Sequence, residues 1–210
     1  MNMHAVAIAI AALVIIAPQG QAAESVYTVL NFDDNSCKPT GPAATKEDDE
    51  MGVASLICPG FKNYPVQYES GDERESVHYG DPAEATTNSA WESFASFNSV
   101  TDKIEWRIDG KGLPFAAIHR YRVLTQDEER TSAAEPYKGE VLVISKVGQP
   151  AGPSGCVIGL VDGLENADAD DLARQVADTL ASGFKCGQDK AVYHGKRGDK
   201  AADFETYFSE

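Results

Sequence analysis

Polar and apolar residues alternate most clearly over residues 104–108 (IEWRI), where Glu105 and Arg107 separate Ile104, Trp106 and Ile108. A period of two marks a strand with one buried face. Residues 115–124 (FAAIHRYRVL) carry a similar pattern, and the Gly- and Pro-containing stretch 109–114 is predicted to close a hairpin between them. Matching the apolar faces pairs Ile108 with Phe115, Trp106 with Ala117 and Ile104 with His119. Ile104, Trp106, Ile108, Phe115, Tyr121 and Val123 then share the core face, with His119 pointing inward. Glu105, Arg107, Ile118, Arg120 and Arg122 share the opposite one. A one-residue slip would drive Arg120 and Arg122 into the core, at a desolvation cost that no turn preference offsets.

Further strands are predicted at 26–32 (VYTVLNF), at 53–58, and at 66–69 and 76–79 around a polar turn over 70–75. His78 alternates with Val77 and Tyr79, which predicts that it faces solvent. The runs 140–147 (EVLVISKV) and 156–162 (CVIGLVD) are apolar enough for central strands. Two short helices are also predicted. Ser89 with Glu92 forms a capping-box pattern ahead of Trp91 and Phe94, and Phe204, Tyr207 and Phe208 fit one face of a last helical turn. Polarity makes 187–210 read as a partly mobile tail.

The strongest helix signal lies at 168–182, where Leu172, Val176, Leu180 and Phe184 recur every four residues beside Ala173, Ala177 and Ala181. Gly183 is placed to end it in the left-handed conformation. Its approach, Asn166-Ala-Asp168-Ala-Asp170-Asp171, has the first three ligand positions of a calcium loop. That loop also needs glycine at its sixth position and glutamate at its twelfth, and these are Asp171 and Ala177. The acids are better read as the start of the helix: Asn166 or Asp168 as its cap, the other carboxylates facing its positive end.

The chain opens with an uncharged apolar run, Ala5–Ala17, followed by Pro18 and Gly20-Gln21-Ala22. Thirteen apolar residues are too few for a membrane span and suit a secretory signal peptide cleaved after Ala22. The expected organisation is a signal peptide at 1–22, a single domain at 23–186 and the tail at 187–210. All four cysteines, Cys37, Cys58, Cys156 and Cys186, follow the signal, and an even count there reads as two disulfides. Of three connectivities, Cys37–Cys58 and Cys156–Cys186 each bracket one local unit. No CxxC or HxxxH spacing supports zinc instead.

A formal charge of −15 argues against nucleic acid and against docking on anionic lipid, and otherwise serves solubility. Candidate chemistry is sparse. There is no GxSxG sequence, and the strand-to-helix turn at Gly163 is followed by acids that would repel phosphate. His119 is the one candidate general base, set against its ordinary role as a hydrogen-bonded core residue. Among 33 acids, no spacing singles out a catalytic carboxylate pair. Arg107, Arg120 and Arg122 form a cationic stripe able to hold an anionic ligand or an acidic partner, unless cross-strand acids such as Glu105 neutralise it.

The run Cys156-Val-Ile-Gly-Leu-Val-Asp162, with Asn166, Asp168, Leu172, Arg174, Asp178 and Phe184-Lys185-Cys186, is similar to a Cys–strand–helix–Cys unit. That unit occurs at the C-terminal end of uncharacterised exported alphaproteobacterial proteins. The resemblance covers about a sixth of the chain and implies export, a structural disulfide and a bacterial origin, with no assigned activity. The expected fold is α+β: a mainly antiparallel sheet with the C-terminal helix packed on one face and two disulfides. The expected function is a periplasmic or secreted non-catalytic binding module, partnered by an envelope or extracellular protein and needing no cofactor or metal. Its alternative is a secreted hydrolase using His119 or a carboxylate pair.

Overall fold

Strand-forming sequence dominates the described residues, whose strands form three mainly antiparallel assemblies with one helix packed on the largest. The computed structural model of the protein describes residues 23–32, 36–40, 45, 52–80, 90–124, 138–150, 152 and 154–207. The expected signal peptide, Ser89 of the capping pattern and Phe208 lie outside these residues. The elements are β1 (Glu24–Val29), β2 (Lys38–Pro39), β3 (Ala54–Phe61), β4 (Tyr64–Gly71), β5 (Arg74–Tyr79), β6 (Trp91–Phe94), β7 (Asn98–Ile108), β8 (Pro114–Val123), β9 (Gly139–Lys146), β10 (Cys156–Asp162), α1 (Ala169–Leu180), β11 (Tyr193–His194) and β12 (Phe204–Tyr207).

A six-stranded sheet runs in the order β1-β7-β8-β9-β10-β11, antiparallel except at β10–β11, and a four-stranded sheet runs β2-β3-β4-β5. The two bury a common core. Trp106, Tyr121, Val123, Val143 and Leu160 from the larger sheet meet Val66, Tyr68, Val77 and Tyr79 from the smaller. The other face of the larger sheet is covered by α1. There Ala116, Ile118, Leu142, Ile144, Ile158 and Val161 pack against Ala169, Ala173, Val176 and Ala177. The alanines let the helix sit close. A methyl group added at Gly159 would lie 2.8 Å from Val176 Cγ1. The fold is α+β, with the C-terminal helix on one face.

The β7–β8 hairpin forms with Trp106 opposite Ala117 and Ile104 opposite His119. Its turn end differs from the expectation. The register shifts between Arg107 and Ile108, so Ile108 faces Pro114. Phe115 consequently packs with the helix-side cluster instead of the expected core face. The expected polar turn at 70–75 tightens to Asp72 and Glu73, both at positive φ (52° and 56°). Two left-handed central residues give the twist that joins hairpin strands.

Both expected short helices are strands. Trp91 pairs with Tyr207 and Phe94 with Phe204, antiparallel, in a two-stranded assembly. The three-residue spacing of Trp91 and Phe94 lost to long-range pairing, because Glu92, Ser93 and Phe94 are all buried. The tail from Gly187 is built into the body in the same way: β11 extends the large sheet beside β10, and β12 completes β6. The disulfides are Cys37–Cys58 and Cys156–Cys186. No helix among the described residues is long and apolar enough to cross a membrane.

Candidate functional site

His119 projects from β8 into the core, as its register requires, with 1% of its surface exposed. Its Nε2 lies 2.6 Å from the Thr101 carbonyl oxygen and its Nδ1 lies 2.7 Å from the Tyr79 hydroxyl. A carbonyl only accepts, so Nε2 carries the proton and Nδ1 accepts from Tyr79. Burial lowers the His119 pKa to about 4, and the same burial pushes Tyr79 well above its ordinary value. Both nitrogens are committed, and the Tyr79 and Tyr121 rings close round the imidazole. The residue behaves as a neutral core group with satisfied hydrogen bonds.

The arginine stripe lies on the helix side of the sheet, where the hairpin register puts it. Arg107 forks onto Asp178 of α1, with Nε at 2.8 Å from Oδ1 and Nη2 at 2.6 Å from Oδ2. Its remaining N–H groups donate to the Ser25 hydroxyl and the Ala23 carbonyl. Arg120 pairs with Glu140 and, at 2.8 Å, with Asp170 at the start of α1. Two of the three arginines expected to meet an anionic ligand therefore meet carboxylates of this chain, and they fasten the helix to the sheet. Arg122 alone is exposed. Glu105 makes the reciprocal contact, accepting from Arg174 Nε at 2.7 Å and from Ser25. Burial pushes the Glu105 pKa up, but the Arg174 and Ser25 hydrogen bonds outweigh it and hold the carboxyl below its ordinary value.

Between α1 and the sheet, the Arg120–Asp170 and Arg174–Glu105 pairs wall a cleft of about 320 Å³ floored by Ile118 and Leu142. Its rim is Asp102 and Lys103, in the stretch of β7 where the register shifts between Val100 and Ile104. Lys103 Nζ stands 4.1 Å from the centre of the Tyr27 ring. Bulged strand segments of this kind re-aim side chains out of the ladder.

The helix entry differs in detail from the expected cap. Asp168 is the N-cap but makes no side-chain cap bond. Asn166 instead ties the end of β10 to the later chain at Lys196, donating to the Asp162 and Lys196 carbonyls and accepting from the Lys196 N–H. Gly183 does not take positive φ; Gly187 does, at 77°. Among the described residues no group of three or more His, Cys, Asp or Glu is arranged to hold a metal ion.

The polar cluster that sequence reasoning missed lies between β5 and β6. His78, expected at the surface, is buried because β6, β7 and β9 pack against β5, the edge strand of the four-stranded sheet. Its Nε2 lies 3.4 Å from Ser76 Oγ, its Nδ1 lies 3.7 Å from Glu92 Oε2, and it bonds the Ala90 backbone. Ser76 Oγ also accepts the Glu92 backbone N–H. Burial lowers His78 to about 4 and raises Glu92 to about 7, so the pair is favoured in its neutral form. The order Ser–His–Glu is that of a hydrolytic triad, yet Ser76 has 0% exposure. Only the i, i+2 placement of Ser76 and His78 on one strand hinted at the cluster; Glu92 arrives from β6 by tertiary pairing.

Glu92 also borders a second cavity, of about 460 Å³, enclosed by Cys156, Val157, Phe184, the loop from Gly187 to Ala191, and β12. No family model, curated protein or solved structure matches the chain.

Proposed function

We propose that the chain is a non-catalytic binding module of the periplasm or the extracellular space. Its partner is another envelope or extracellular protein, seated at the cleft between α1 and the β7–β8 hairpin. The observation that carries this reading is how the polar groups are deployed. His119 is sealed with both nitrogens bonded, and Glu105 and Asp170 of the cleft are each neutralised by an arginine. Such carboxylates are fixed charges, poorly suited to moving a proton. Asp102, Lys103 and Tyr27, by contrast, reach solvent at the rim and offer both signs of charge beside an aromatic ring. The two disulfides fit an oxidising compartment, and the signal read at 1–22 fits delivery to it.

A photo-crosslinking side chain placed at Tyr27 in exported protein tests the proposal. It should give one dominant adduct, lost when Asp102→Lys and Lys103→Glu reverse the rim charges, while the same probe at exposed Leu164 gives none. No adduct at position 27, or one indifferent to the reversal, refutes it.

The alternative, a secreted hydrolase, is favoured by one observation, the order of Ser76, His78 and Glu92. The burial of Ser76 stands against it, since a nucleophile must meet its substrate. A fluorophosphonate probe is expected to leave the protein unlabelled. Labelling abolished by Ser76→Ala would establish the hydrolase instead.

A further inference from the structure

We infer that the cavity beside the Cys156–Cys186 bond is a binding site for a small organic cation, a protonated amine carried on an apolar or aromatic body. At its inner end stands Glu92, 5% exposed. Its Oε2 accepts the Val157 N–H at 2.8 Å, and its Oε1 accepts the Thr206 hydroxyl at the long distance of 3.5 Å. A carboxylate offers about four lone-pair sites, so this one, with its two partners Val157 and Thr206 both lining the cavity, keeps spare accepting capacity. The basic group beside it, His78 at 3.7 Å, is held neutral by its own burial. The desolvated acid accordingly titrates near 7.

The remaining lining selects the sign and shape of the ligand. Asp189 and Glu205 add two further carboxylates against the single ammonium of Lys190, which disfavours an anion. Phe184, Phe204 and Tyr207 contribute aromatic rings, and Val157 and the Cys156 side chain add apolar surface. Carboxylates combined with aromatic rings are the means by which proteins hold organic ammonium groups. A volume of about 460 Å³ admits such a molecule but not a folded partner. A neutral apolar ligand would desolvate Glu92 further and return no hydrogen bond, so the amine is what the site rewards. The site is separate from the α1 cleft, and either proposal can fail without the other.

The test titrates the intact, disulfide-bonded chain at about pH 8, above the Glu92 midpoint, with benzylammonium, benzyl alcohol and phenylacetate. Calorimetry should show benzylammonium saturating in the range of about 1 mM and about tenfold tighter than benzyl alcohol. Phenylacetate should not saturate. The backbone amide resonances of Val157, Gln188 and Thr206 should move on binding, a reading that needs no variant. Glu92→Gln, with its fold checked by circular dichroism, should bind benzylammonium no better than benzyl alcohol. The inference is overturned if benzyl alcohol binds as tightly as the amine, if the amine fails to saturate, or if the shifted amides lie elsewhere. Undiminished amine binding by a folded Glu92→Gln chain overturns it too.

Discussion

His119 and Glu92 are titratable side chains placed where charge is costly, and each gives stability its own dependence on pH. The His119 pKa falls from 6.5 to about 4 on folding. Between those values the unfolded chain holds a proton that the folded chain refuses, so stability is complete above 6.5 and is lost as pH falls toward 4. A shift of that size is worth about 3 kcal/mol. Urea unfolding between those pH values should show the loss. His78, also lowered to about 4, adds to the same limb, so His119→Gln should make it shallower without abolishing it; an equally steep acid limb in the variant refutes the assignment. Glu92 has the opposite sign. Its pKa rises from 4.5 to about 7, so the folded chain keeps a proton the unfolded chain has released. Its contribution is complete below 4.5 and is lost as pH rises through 7. Glu92→Gln should therefore match the parent chain in acid and exceed it by about 3 kcal/mol above neutrality, read from melting curves across that range.

Among the elements, α1 shows how ion pairs and small side chains divide the work of docking. The alanine stripe brings the helix close, and Arg107, Arg120 and Arg174 fix its rotation through Asp178, Asp170 and Glu105. Arg107 is only 6% exposed, so its charge-assisted bonds escape most solvent screening. Arg107→Ala should cost about 2 kcal/mol in chemical denaturation and raise hydrogen exchange in α1 ahead of the four-stranded sheet. Uniform exchange would show that the pair does not hold the helix specifically. The 30-residue span closed by Cys156–Cys186 contains this helix. Replacing both cysteines with serine should lower stability by about 3–4 kcal/mol in the chain-entropy account. The helix itself was legible in the sequence because its four-residue repeat is local. Its arginine partners were not, since residues 105–120 and 170–178 meet only after the sheet has formed.

For the whole molecule, the last twenty or so residues are the decisive case. β11 adds an edge to the six-stranded sheet and β12 is the partner of β6, with Phe204 against Phe94 at 5.0 Å between ring centres. Truncation after Cys186 should therefore expose Phe94 and broaden or abolish cooperative unfolding, followed by tryptophan fluorescence through Trp91 and Trp106. A truncated chain that melts like the parent would show that the segment is an appendage. The α+β class, the β7–β8 hairpin, the C-terminal helix and both disulfides followed from the sequence alone. Each rests on periodicities or pairings within some thirty residues, where neighbouring side chains carry the information. Tertiary structure decided the rest. It turned Trp91–Phe94 and Phe204–Tyr207 into paired strands, buried His78 and Glu92 together, and gave Arg107 and Arg120 to the helix acids. Those outcomes depend on surfaces brought together from distant parts of the chain, and no local pattern encodes which surface a residue will meet.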